Sequence, residues 1–452
     1  MNRVSRGRDM RRKGDFSLPD DVMIDIFLRF PIKKLAQLRC VCKSWNQLIT
    51  NQSFVESHIN QSTSKACILY HPHGFQPLEL GLYYETQDFS LYPETNEFVF
   101  TESQTLELSL YFGTDRKPAK IRNPPAKICN PPFATELMDW NIIGSCNGVL
   151  CLCSDTDRSL IYMWNPSISK YITLPRPFYK YNIRYVGFGV DHLSGHLDDF
   201  KVVTISANAN SMVYSLRKNS WKVVPEGFPP SIELSCCPRD HPVFVKGCVH
   251  WCARVSCYLD SKCPWLIVSF DFVNEVFQKI MLPNDLSTSD GAKFLNVVNG
   301  CLCVFAAVDE VCSSYELWVM KEYSVVESWT RTCIIEKPDK YWWPLGFTRT
   351  GGIFAQGVCE HGDSTLLTYQ PDTKMFTCTC FPLNLPHIPI QVLTFVESLV
   401  APIPPSLVVG FKYFKGVDDH LCVFAIVDEK RCFVYELSVY ELSVMEYGLA
   451  VS

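Results

Sequence analysis

Residues 17–54 read SLPDDVMIDIFLRFPIKKLAQLRCVCKSWNQLITNQSF, a run of short apolar helices packed into fewer than forty residues. Pro19 suits a first helical turn, where its missing N–H costs nothing, and Asp20 and Asp21 fall at the positive end of the helix dipole. Met23, Ile26, Phe27 and Phe30 recur at i, i+3, i+4 and i+7, which predicts one core-facing stripe. Val22, Ile24 and Leu28 are apolar outside that stripe, leaving Asp25 and Arg29 as an i,i+4 polar seam. A helix apolar on more than one side needs more than one partner surface.

Pro31 stops this helix. A second is predicted with Leu35, Leu38 and Cys42 on one face and Lys33, Lys34, Gln37 and Arg39 toward water. Trp45, Leu48 and Ile49 mark a third, and Ser53 is the expected N-cap of a further turn carrying Phe54 and Val55. Three such helices bury too little to be a comfortable free-standing domain, so the unit is expected to complete its core against another protein.

The chain has 452 residues, room for this small module and one large domain or several ordinary ones. With 47% hydrophobic and 20% charged residues its composition is globular. A formal charge of −5 without extended charge runs does not favour nucleic acid as a partner. No apolar stretch approaches a bilayer-spanning length and no secretory h-region follows the start, so no membrane association is expected. The 22 cysteines sit mostly inside apolar runs such as Leu150-Cys151-Leu152-Cys153 and Cys301-Leu302-Cys303-Val304, as small buried hydrophobes of a reducing compartment do. The Cys-x-Cys pairs at 151/153, 301/303 and 378/380 lack the spacing and the partner histidines of structural zinc, so no metal and no cofactor is expected.

Residues 1–16 carry six basic side chains with little that is apolar and read as a disordered basic tail. Strands are predicted around Ala66–Tyr70 and Leu106–Phe112, with a Pro-rich loop across 123–132. An internal repeat follows. Leu160-Ile161-Tyr162-Met163-Trp164 leads through Asn165-Pro166-Ser167 into Tyr171-Ile172-Thr173-Leu174-Pro175. The same strand, polar turn and strand return at 212–225, 266–283, 315–329 and 366–378. Gly-led strands precede four of them, at Asn147-Gly148, Lys246-Gly247, Asn299-Gly300 and Gly351-Gly352, and Gly187-Phe188-Gly189 with Phe200–Thr204 stands in for the fifth. A period of about fifty residues is that of kelch-type blades. Residues 66–400 are therefore predicted to form an all-β propeller with five clear blades, a sixth being assembled from the 66–112 strands and those near Val392 and Val400.

Leu18-Pro19, Ile26, Arg29-Phe30-Pro31, Leu35, Val41-Cys42-Lys43-Ser44-Trp45 and Leu48-Ile49 resemble the F-box in its plant form, with Phe30 where Leu is usual and Gln37 for a common Arg. Trp164-Asn165-Pro166-Ser167, Asn219-Ser220-Trp221, His250-Trp251 and Ile267-Val268-Ser269-Phe270-Asp271 are similar to the F-box-associated, kelch-like domain of the broad plant group that includes S-locus-type F-box proteins. The resemblance implies a small all-α F-box at 17–60 followed by an all-β propeller-like domain at 66–400. It implies a Skp-type adaptor as partner and, through it, a cullin. Leu18, Pro19, Ile26, Pro31, Leu35 and Val41 would lie at or near the adaptor surface, with Trp45 shaping the fold. The protein would be the non-catalytic target-recognition subunit of a ubiquitin ligase, in the cytoplasm or nucleus, with an unknown target protein on the propeller. The competing reading is a propeller binding module or small-molecule hydrolase with a vestigial F-box.

Residues 401–452 depart from that pattern. Leu421–Glu429 nearly copies Leu302–Glu310, and Tyr-Glu-Leu-Ser-Val occurs at both 435–439 and 440–444, which predicts a duplicated half-blade with an exposed edge. His192, His196, Asp198 and Asp199 cluster as HLSGHLDD, but the intervening Gly and turn residues predict a solvated loop and not a metal helix. His250-Trp251 reads as packed core. No nucleophile elbow, phosphate-cradling loop or paired-carboxylate signature stands out. Trp140, Tyr179, Tyr181, Trp342 and Trp343 are the aromatic residues placed at turns.

Overall fold

The structure, a computed structural model, describes residues 18–62, most of 140–405, and strands within 67–120 and 413–446. The basic tail and the Pro-rich run lie outside the described residues. Four helices come first: α1 (Asp20–Phe27), α2 (Ile32–Leu38), α3 (Lys43–Thr50) and α4 (Gln52–Ser62). Pro19 and Pro31 stand immediately before α1 and α2, where no N–H is needed. Cys42 Sγ caps α3 by accepting from the Trp45 amide. The cap of α4 is Asn51 and not Ser53: its Oδ1 accepts from the Ser53 amide at 2.9 Å and hydroxyl at 2.6 Å.

Phe27, Ile32, Leu35, Ile49, Phe54, Val55 and Ile59 form the helical core, with Trp45 edge-on to Phe27 at 5.2 Å. The inward face of α1 is Met23, Ile24, Phe27 and Leu28. Ile26, placed in the core stripe from its spacing, is exposed instead. Within the chain the helical core has a second surface to pack against. It is continuous with Val149, Cys151, Cys153, Ile161 and Met163 of the β domain, and with Leu399 and Val400. The two units share one apolar cluster.

Five four-stranded antiparallel blades follow, at 140–173, 183–223, 232–281, 293–336 and 342–386, the third carrying one extra short strand. The predicted hairpins are the third and fourth strands of each blade, and the four Gly-led segments are the second; in blade 2 Phe200–Ser206 is the second, and Gly187-Phe188-Gly189 lies in the first. In the fourth blade the outer strand starts only at Trp329, because Val326–Ser328 form a 3-10 turn. The Asn147-Gly148, Lys246-Gly247 and Asn299-Gly300 turns have positive φ at both residues, the backbone that joins two twisted strands most tightly.

Each blade also has an innermost strand that the repeat did not announce, among them Trp140–Cys146, Ile183–Val190, Lys293–Val298 and Trp342–Phe347. These strands crowd around the axis, and glycine is used where a neighbour presses in. A Cβ on Gly187 would lie 2.6 Å from the Trp251 ring of the next blade. The innermost strands touch in sequence around the ring, with Cys248–Val255, the second strand of blade 3, making that blade's contact to blade 2, and Ile390–Phe395 closes it between the fifth blade and the first. That last strand pairs with Cys67–Pro72, in register from Cys67↔Phe395 to Pro72↔Ile390, and Gly81–Tyr83 adds a third strand. The early and late ends of the domain thus share a sheet, which removes the open edge of the array. The strands at 97–111 belong elsewhere, to a separate three-stranded sheet.

Buried polar contacts fasten the ring. Asn165 is fully buried and donates from Nδ2 to Ser398 O at 3.0 Å and Val400 O at 2.8 Å, while its Oδ1 accepts from the Ser167 amide. Lys201 joins blades 2 and 3: its ammonium lies 3.0 Å from Asp191 and 3.2 Å from Glu275, and donates to Phe272 O. Burial opposes that charge, but the two carboxylates outweigh it and hold the Lys201 pKa above its ordinary value.

The terminal stretch is not a half-blade. Tyr413–Val417, His420–Asp428, Arg431–Leu437 and Leu442–Glu446 make a four-stranded antiparallel sheet of their own. Its copied strand does not keep its partner. Val304 pairs with Trp318, whereas its counterpart Val423 pairs with Tyr435, the counterpart of Tyr315.

Candidate functional site

The antiparallel order gives the ring two chemically distinct ends. In each blade the first and third turns lie at one end, and the second loop and the connection to the next blade lie at the other. The helical module sits at the first of these ends. Gln52 Nε2 donates to Gly195 O in the loop 191–199, which joins the first two strands of blade 2. Glu397 beside it is partly buried, which raises its carboxyl pKa, and the Lys33 charge opposes the rise.

That loop is the HLSGHLDD stretch. It is the expected inter-strand loop, with His192, Leu193, Gly195 and His196 exposed, and it is also a joint: Leu197 O accepts from Asn147 Nδ2 at 2.9 Å, and Asp191 is committed to Lys201. Among the described residues no group of three His, Cys, Asp or Glu side chains is placed to hold a metal. His250 is core, as its strand setting implies. Its ring nitrogens lie 3.2 Å from Val243 O and 2.8 Å from Tyr323 Oη, and burial pushes its pKa down to about 4. Cys151, Cys153 and Cys303 are buried, and burial pushes their thiols up, Cys153 to about 12, so they stay protonated and inert.

On the helical module, apolar side chains remain uncovered along one side of α1. Val22 and Ile26 stand one turn apart at 41% and 37% exposure, and Leu18 precedes them at 54%. Val41, in the turn before α3, is 60% exposed. Pro19 and Pro31 are also exposed. Leu35, assigned to the same surface by resemblance, is instead fully buried, so its contribution is to the core beneath that face. Val22 was missed, although it was apolar outside the supposed core stripe, which was the signal for it. Arg29 and Asp25 form the anticipated seam at 2.9 Å.

At the opposite end of the ring, Asp155, Asp157, Arg158 and Ser159 from the second loop of blade 1 meet Arg176 and Asn182 from the connection to blade 2, around an open pocket of 460 Å³. Arg176 Nη1 lies 2.6 Å from Asp157 and 2.7 Å from Ser159 Oγ. Hydrogen bonding from Ser159, with Arg176 adding to it, holds the Asp157 carboxyl below its usual range against a small opposing effect of burial. Phe178 and Tyr179 follow on the same connection, 79% and 46% exposed. Of the aromatics placed at turns, Trp140 and Trp342 are instead buried in innermost strands, Trp343 is half-buried, and Tyr181 lies outside the described residues.

Residues 98–367 match the F-box associated beta propeller domain family, and residues 16–57 match the F-box domain family. Three relatives come from Arabidopsis thaliana. An F-box protein is 27% identical over 339 residues, spanning 69% of this chain and 71% of the relative. An F-box/kelch-repeat protein is 26% identical over 330 residues, spanning 70% and 78%. F-box protein CPR1 is 28% identical over 355 residues, spanning 71% and 74%.

Proposed function

Because this chain belongs to the family with an F-box and an F-box-associated β-propeller, we propose that it is the target-recognition subunit of a Skp–cullin–F-box ubiquitin ligase. The uncovered apolar row of Leu18, Val22 and Ile26, with Val41, carries this reading: hydrophobic side chains left in water on a folded module mark a binding face. A Skp-type adaptor seated there leaves the far end of the ring open for a target protein. The contribution to ubiquitin transfer is positional. A target held at fixed distance from a recruited conjugating enzyme reacts at raised effective concentration, so this chain needs no catalytic residue of its own. On this reading the protein works in the cytoplasm or nucleus, where its buried cysteines stay reduced.

Co-expression with a tagged Skp-type adaptor tests the proposal. The wild-type chain is expected to co-purify, and Leu18→Asp or Val41→Asp to abolish co-purification while leaving the melting temperature unchanged. Co-purification that survives both substitutions overturns it.

A further inference from the structure

Resting on that reading, we infer that the target's docking point includes the pocket at the junction of blades 1 and 2, and that it takes an acidic side chain flanked by an apolar one. Among the described residues the pocket is lined by the second loop of blade 1, the connection to blade 2 and Ile183 at the start of the first strand of blade 2. Those segments lie at the end of the ring away from Gly195, where the helical module docks. An adaptor on α1 therefore leaves this pocket unobstructed.

Charge alone does not choose the occupant, since two aspartates and two arginines line the pocket. Hydrogen-bonding capacity does. The acids are already engaged: Asp157 accepts from the Ser159 amide at 3.1 Å, from the Ser159 hydroxyl at 2.6 Å and from Arg176, and Asp155 accepts from Asn141. The guanidiniums are under-used. Among the described residues Arg176 spends Nη1 alone, and Arg158 has a loose approach to Asp155 at 3.7 Å. Two planar donor forks with spare N–H groups suit a carboxylate or a phosphate, which accepts two parallel hydrogen bonds. Phe178, two residues beyond Arg176 in the chain and 79% exposed, adds an apolar surface on the same connection. The chemistry fits a peptide segment in which an anionic residue neighbours an aliphatic or aromatic one. Trp221 Nε1 bonds Pro175 O at the base of the connection, which fixes the start of this arm.

Immobilised peptide pools provide the test, each with random positions around one fixed residue: glutamate, phosphoserine or lysine. The full-length chain is passed over all three, and adaptor capture is measured on the same preparation. Retention on the glutamate or phosphoserine pool, at least tenfold above the lysine pool, is expected, and the stronger of the two identifies the anion's source. Arg158→Glu with Arg176→Glu is expected to remove that preference. Phe178→Ser, at a side chain with so little packing to lose, is expected to weaken retention severalfold without moving the melting temperature. Equal retention on the lysine pool, no retention on any pool, or indifference to both variants overturns the inference. Adaptor capture in the same preparation separates these outcomes from failure of the ligase reading.

Discussion

Asn165 shows how much one side chain carries. It reaches both Ser398 and Val400, and Ser398 Oγ in turn donates to Asn147 O. Asn165→Ala leaves two carbonyls buried without a donor and is expected to cost about 2 to 4 kcal/mol, read as a lower denaturation midpoint at unchanged slope. His250 predicts a pH dependence. Burial holds its folded pKa near 4 against an ordinary value of 6.5. Above pH 6.5 both states are neutral; below it the unfolded chain takes a proton that the folded chain refuses. Stability therefore falls as pH drops from 6.5 toward 4, by roughly 3 kcal/mol at most from this residue. Denaturant titrations at pH 7 and pH 5 are expected to show a smaller loss for His250→Gln than for the wild type. Such roles were legible only in part. Asn165 stood out as part of a repeated turn, but its partners lie over two hundred residues away in the chain. The buried state of Leu35 and the exposure of Ile26 depend on which flank of α1 meets the other helices, which spacing alone leaves open.

At the scale of elements, the α1 row and the core beneath it make separable predictions. Leu35→Ala, at a fully buried position, is expected to cost about 2 to 5 kcal/mol, measured by thermal or denaturant unfolding. Ile26→Asp, at an exposed position, is expected to leave stability nearly unchanged and remove adaptor binding. The helices and three strands of every blade could be read from the chain because their apolar periods are strong and their turns carry Asn-Gly or Asn-Pro. The innermost strands could not. They hold residues such as Gly144, Pro344 and Gly346, which propensity counts against strands, and even Gly187-Phe188-Gly189 stood out only as part of the Gly-led pattern. The shared core of the helices and blades 1 and 2 was equally invisible, since both surfaces are apolar for reasons each unit supplies alone. Deleting residues 1–62 uncovers that joint, and the truncated propeller is expected to melt below the full chain and to bind a hydrophobic dye more strongly.

For the whole molecule, topology does the work of organisation. A closed antiparallel ring has two ends, and the helical module covers part of one, so on the proposed function the body of the protein itself holds adaptor and target apart. The shared apolar cluster makes the two units one piece, which is what positional catalysis requires of a scaffold. Hydrogen exchange of the full-length chain, with and without a purified Skp-type adaptor, reads this separation directly. The adaptor is expected to slow exchange within residues 18–43 and to leave 155–159 and 174–179 unchanged. Slowed exchange at those two loops, or none along α1, would contradict the account.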